Sequence, residues 1–162
     1  MTVKTDPQAV AESLLHVLPL FNRFVSTKLR EKISDETTLS QLRAIKHLKD
    51  QPITLSELAE RRSVTRQAAS LQVQGMVEKG WVRRLPDASD RRQAQLEVTD
   101  EGMAHWLEAH QLLVDQLAER FEALTAEEFA AVEAALPALD RVLAQLAPER
   151  APAVAANSVT EA

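Results

Sequence analysis

Residues 63–102 read SVTRQAASLQVQGMVEKGWVRRLPDASDRRQAQLEVTDEG, and the spacing of apolar residues changes within that stretch. Ala69, Val73 and Met76 recur at three and four residues, the period of one helix face. Thr65 stands ahead of them with an oxygen able to cap the helix, and Gly80 stands behind them as a C-terminal breaker. The period then shortens to two. Trp81-Val-Arg-Arg-Leu85 reads as a short strand and Pro86-Asp-Ala-Ser-Asp90 as a turn. From Gln93 to Thr99, Ala94, Leu96 and Val98 alternate with Gln95 and Glu97. The stretch therefore predicts a helix from Thr65 to Gly80, followed by a small hairpin with a basic tip.

Upstream, Thr38-Leu-Ser-Gln41 and Thr54-Leu-Ser-Glu57 both have the capping-box pattern. In that pattern a threonine oxygen takes one orphan N–H, and the later Gln or Glu reaches back to another. The first box opens a helix that turns Leu39, Leu42, Ile45 and Leu48 inward; the second opens a short helix carrying Leu55, Leu58 and Ala59. The order helix, short helix, capped helix, strand, basic turn, strand is that of a winged helix-turn-helix. Further out, Asp6-Pro7 is a good helix start, and Val10, Leu14, Val17, Phe21, Val25 and Leu29 form one stripe on a long helix ending near Arg30 or Glu31. Pro19 is expected to kink it or interrupt its hydrogen bonds.

Downstream, a long helix runs from Thr99 to about Ala123, with Trp106, His110, Leu113, Leu117 and Phe121 or Leu124 on one face. A third capping box, Thr125-Ala-Glu-Glu128, opens a last helix. There Phe129, Val132, Leu136, Leu139, Leu143 and Leu146 have the spacing of a helix–helix seam, and Pro137 is expected to bend it. The fold class is mainly α with a small β-hairpin wing. The expected organisation is an N-terminal helix over residues 1–31, a winged lobe over 38–99, C-terminal helices over 100–147 and a flexible tail over 148–162.

Composition excludes several alternatives. The chain of 162 residues has no cysteine, which removes disulfides, thiolate metal sites and thiol redox sensing. Three glycines and 4% aromatics argue against a sandwich or barrel. No apolar run approaches the roughly 18 residues of a membrane span, and the polar start, Met1 to Asp6, lacks a signal-peptide pattern, so a soluble cytoplasmic protein is expected. The net charge is −5. Within residues 61–95, however, eight basic side chains (Arg61, Arg62, Arg66, Lys79, Arg83, Arg84, Arg91 and Arg92) face three acidic ones. A basic centre in an acidic chain suits a polyanionic partner.

Helical projection of the segment after Thr65 puts Gln67, Ser70, Leu71 and Gln74 opposite the apolar face, with Arg66 at the N-terminal end where backbone N–H groups also attract phosphate. Glutamine amides can pair with adenine edges and an apolar side chain can meet a thymine methyl. Candidate DNA-contacting residues are thus Thr65, Arg66, Gln67, Ser70, Leu71 and Gln74.

The chain resembles the MarR family of bacterial regulators. The residues that carry the resemblance are Leu55-Ser-Glu-Leu-Ala59, Ser63-Val-Thr-Arg66, Val77-Glu-Lys-Gly-Trp-Val-Arg83, Asp87-Ala-Ser-Asp-Arg-Arg92 and Leu96-Glu-Val-Thr-Asp-Glu-Gly102. The resemblance implies a homodimer whose first and last two helices intertwine, with two winged lobes on a pseudo-palindromic operator. It implies that Arg91 and Arg92 approach the minor groove from the wing tip and that Asp90 orients an arginine there. It also implies a cleft for a small aromatic effector, for which His16, Phe21, Arg43, His47 and Trp106 are candidates. Plainer roles stand beside these: Phe21 and Trp106 in a core, His16 and His47 on helix surfaces. The family usually has an apolar residue where Gln72 stands and often a basic one where Leu71 stands.

No cofactor is expected. Metal binding is disfavoured because His105 and His110 are five residues apart and diverge around a helix. An enzyme is disfavoured because no phosphate loop, metal cluster or Ser-His-Asp set has local support. The reading is a DNA-binding regulator, a repressor by preference, with a winged-helix protein-interaction module as the alternative.

Overall fold

Every helix start read from the sequence has its oxygen in place. The structure, a computed structural model, describes residues 6–34, 37–86 and 94–144. Helix α1 (Pro7–Lys32) is capped by Asp6, which accepts from the Gln8 N–H at 3.0 Å. Helix α2 (Leu39–Leu48) and helix α3 (Leu55–Arg61) each carry a complete capping box, on Thr38 with Gln41 and Thr54 with Glu57. Thr65 caps helix α4 (Arg66–Glu78) by accepting from the Ala68 N–H at 3.1 Å. Thr99 caps helix α5 (Asp100–Phe121) through the Gly102 N–H. Before helix α6 (Ala126–Ala144), Thr125 and Glu128 exchange the same pair of bonds.

The strands form one antiparallel sheet in the order β1-β3-β2, where β1 is Ile53–Thr54, β2 is Val82–Pro86 and β3 is Ala94–Val98. The hairpin register runs from Val82 opposite Val98 to Pro86 opposite Ala94. Strand β1 was not expected. Two residues are too few to show alternation, and β1 exists because Ile53 pairs with Leu96 and is buried with it.

Two apolar clusters hold the first unit, residues 1–124, together. One joins Ile45 and Leu48 of α2, Leu58 of α3, Val73 and Met76 of α4, and Trp81, Val82 and Leu96 of the wing. The other joins Val25 and Leu29 of α1 to Leu42 and Ala109. Trp106 packs against both clusters. Helix α1 runs unbroken through Pro19, since one lost hydrogen bond leaves the flanking turns intact. Of its stripe, only Val25 and Leu29 are buried, and Val10, Val17 and Phe21 are exposed. The second unit, residues 125–162, contributes α6, which continues through Pro137 and buries none of its residues. Among the described residues, no helix is long and apolar enough to cross a membrane.

The start of α5 is locked to the turn between α4 and β2. Gly80 has φ +73°, the left-handed conformation that terminates α4. The Thr99 hydroxyl donates to the Gly80 carbonyl at 2.5 Å, and the Thr99 N–H donates to the Trp81 carbonyl at 3.0 Å. Gly102 lies so close beneath Trp81 that a Cβ there would stand 2.1 Å from the Trp81 carbonyl oxygen. His105 stacks on the Trp81 ring at 4.0 Å, and its Nε2 is 3.1 Å from the Thr37 hydroxyl.

Candidate nucleic-acid interface

The turn between α3 and α4 is short and fully bonded. Arg62, Ser63 and Val64 donate backbone bonds to Leu58, Glu60 and Ala59, and Ser63 takes a positive φ of 51° to make the corner. Helix α4 starts shortly after that corner. Its Ala69, Val73 and Met76 are completely buried. On the far side Arg66, Gln67, Leu71 and Gln74 are exposed and Ser70 is half-buried. The outward face read from the sequence is therefore the outward face of the helix. Leu71 is 74% exposed, the most exposed large apolar side chain among the described residues. Thr65 is exposed, but its hydroxyl is committed to the cap. Gln74 donates to Glu78 at 3.0 Å, which leaves its amide oxygen for a donor such as adenine N6.

The wing strands flank α4. Between them lies a cavity of about 190 Å³ whose lining includes Thr54, Ser56, Arg66, Val73, Arg84 and Leu96. Arg66 from α4 and Arg84 from β2 thus share one concave surface. Arg84 was not among the candidates read from the sequence, although strand alternation carried the signal. It lies two residues from buried Val82, on the strand face turned to the helices. Its neighbour Arg83 points the other way and pairs with Glu97 of β3 at 2.5 Å, so its charge is matched within the sheet. Asp90, Arg91 and Arg92, the wing-tip candidates, lie outside the described residues.

The effector candidates are dispersed. His16 and Phe21 are exposed on α1. Arg43 donates to Asn22 across α1 and α2 at 3.3 Å. His47 is half-buried; burial, then the charges of Arg62, Arg61 and Lys46, holds its imidazole below the ordinary value. Trp106 has Lys49 over its ring at 5.1 Å and His110 stacked against it at 4.8 Å. None of these five residues lines the cavity beside α4. His105 and His110 stack on different tryptophans, and among the described residues no group of three His, Cys, Asp or Glu side chains gathers to hold a metal.

A family profile described as the MarR family matches residues 36–93. The fold is that of the MarR-family winged-helix regulators. Proteins of that family are transcriptional regulators rather than enzymes. The solved structures agree across nearly the whole fold. A cysteine-to-serine mutant of MarR from E. coli superposes with a TM-score of 0.72 at 27% identity, covering 86% of this chain and 98% of that one. The same mutant complexed with operator DNA gives 0.61 at 28% identity, covering 89% and 100%. BldR from Sulfolobus solfataricus gives 0.72 at 23% identity, covering 90% and 99%, a likeness of fold. A sequence comparison with curated proteins matched none of them.

Proposed function

We propose that this chain is an operator-binding transcriptional repressor that acts as a homodimer on double-stranded DNA. The observation that carries the reading is the outward face of α4, where Gln67, Leu71 and Gln74 stand free of the core beside Arg66 and Arg84. An α-helix fits the major groove, glutamines and a leucine match base edges and thymine methyls, and the arginines suit the flanking phosphates. The MarR mutant similar to this chain has been solved with operator DNA. By the family resemblance alone, we also assign Arg91 and Arg92 to contacts in the minor groove and Asp90 to orienting an arginine there.

A second copy is the partner that the helices outside the lobe call for. Half of the α1 stripe, namely Val10, Val17 and Phe21, is exposed among the described residues. Two-fold pairing then places the two α4 helices about one DNA turn, roughly 34 Å, apart on a pseudo-palindrome. Release by a small aromatic acid is the mode of control we assign, with His16, Phe21, Arg43, His47 and Trp106 as its contacts once the dimer completes their surroundings.

The test is the salt dependence of binding to a duplex selected from a random pool. Each lost phosphate contact should flatten the slope of log affinity against log salt by about 0.9. Arg66→Ala, Arg84→Ala, Arg91→Ala and Arg92→Ala are each expected to do so, and unchanged slopes in all four would overturn the reading.

A further inference from the structure

Gln72 departs from the apolar residue usual at its position, and the structure shows what it does there. It sits one residue past Leu71, about 100° around α4, on the flank away from the wing. Its amide oxygen accepts from Nη1 of Arg62, at the C-terminal end of α3. Its amide nitrogen donates to the Ser40 hydroxyl in the first turn of α2 at 3.0 Å. Nη2 of Arg62 donates to that same hydroxyl at 2.8 Å. Three helices thus meet in a closed triangle of hydrogen bonds, with Arg62 and Gln72 both half-buried.

We infer that the Ser40–Arg62–Gln72 triangle is a positioning device that fixes the rotation of α4 about its own axis and so sets sequence discrimination without touching DNA. The inference rests on the DNA-binding reading above. Ala69, Val73 and Met76 anchor α4 by apolar packing, which is non-directional and tolerates a small roll. A roll of about 20° moves a side-chain tip about 5–6 Å from the axis by about 2 Å. Hydrogen bonds to base edges survive only within about half an ångström of their optimum. A planar guanidinium that donates through two nitrogens to two different helices resists that roll, and an ammonium in its place cannot reproduce the fork. The triangle also changes how the basic centre is read. Arg62 belongs to it by sequence, yet both of its terminal nitrogens are committed inside the protein, unlike Arg66 on the outward face.

The experiment compares binding to a duplex that the wild-type chain selects from a random pool with binding to a scrambled duplex of equal length, over a range of salt. Arg62→Lys keeps the charge and loses the fork. Gln72→Leu loses both amide bonds while supplying the usual apolar residue, and Gln72→Glu restores an acceptor for Arg62. Arg62→Lys and Gln72→Leu are each expected to lower the specific-to-scrambled ratio about tenfold, the worth of one or two hydrogen bonds, with an unchanged salt slope. Gln72→Glu should retain most of the ratio. If Arg62→Lys and Gln72→Leu keep the ratio and lose only thermal stability, the triangle is merely structural and the inference fails alone. If Arg62→Lys binds normally while Arg62→Ala flattens the salt slope, Arg62 is a phosphate contact and the inference also fails. A wild-type chain that selects no sequence overturns the DNA-binding reading and this inference together.

Discussion

The two ends of the path from α4 to α5 are built on opposite terms. At the turn after α4, Gly102 has no room for a methyl beneath Trp81, and the Gly80 carbonyl, the Trp81 carbonyl and the Gly102 N–H are all tied to Thr99. In the middle of α4, nothing stands within 4 Å of where a Gly75 Cβ would be, and Leu71 beside it is bare. The contrast shows where rigidity and openness are needed. At the joint, α5 meets the turn after α4 in backbone contact, with no room for a methyl on Gly102. The reading face must receive another molecule, so its own protein leaves it uncovered.

The largest expected effect is at the joint. In Gly102→Ala the new methyl would lie 2.1 Å from the Trp81 carbonyl oxygen, and neither backbone can yield without breaking the Thr99 bonds. A loss of about 3 kcal/mol in folding free energy is expected, the upper range of overpacking, read from the urea midpoint. A loss under about 0.5 kcal/mol, as at an ordinary surface position, would remove the contrast. Gly80→Ala is milder: the left-handed backbone costs about 1–2 kcal/mol, and the Glu101 carboxylate 3.0 Å from the added methyl can swing aside.

The pH dependence of the same joint comes next. Burial is the main cause holding His105 below its ordinary value of 6.5, with Lys79 acting in the same direction and Glu108 against it. Below 6.5 the unfolded chain therefore binds a proton that the folded chain resists. Stability should fall as pH drops from about 7 to 5, because the unfolded state then holds more protons. His47 contributes with the same sign. The carboxylates of Glu31 and Glu128 are held below 4.5 and act at lower pH. His105→Phe keeps the stack on Trp81 without titrating, so its denaturation midpoint should fall less over the same range. An equal fall in both proteins would place the titration elsewhere.

Much of the fold was legible in the sequence because its signals are local. Thr38, Thr54 and Thr125 announce helix starts through bonds that span three residues, and Ala69, Val73 and Met76 announce a buried face through spacing alone. What was not legible depends on contacts distant in sequence. Strand β1 exists through its pairing with Leu96 and Gln95 of β3, about forty residues away. Gln72 looked anomalous on α4 because its partners, Arg62 and Ser40, lie on two other helices. Arg84 was passed over at the interface because a run of two arginines hides the strand alternation that separates it from Arg83, which is paired across the sheet. The outward face of α4 could be read because helical projection alone separates it from the core. The effector candidates could not be brought together by any such rule, since they come from α1, α2 and α5.

The smallest predicted effect tests the open side of the comparison. Glycine in a helix interior costs about 0.5–1 kcal/mol relative to alanine, because the unfolded glycine has more freedom to lose. Gly75 has no positive φ and open space around its missing methyl, so the structure gives it no packing role. Gly75→Ala should therefore stabilise the chain by about that amount, measured as a rise in urea midpoint with unchanged slope. A loss of stability would show that α4 is crowded there after all. Binding of the selected duplex adds the sharper half of the test. The methyl would emerge beside Leu71 on the flank shared with Gln72, at the margin of the reading face. A variant that is more stable yet binds that duplex more weakly would mean the space at Gly75 is filled by DNA in the complex. One that is more stable and binds equally well would confine the contact surface to the side of α4 nearer the wing.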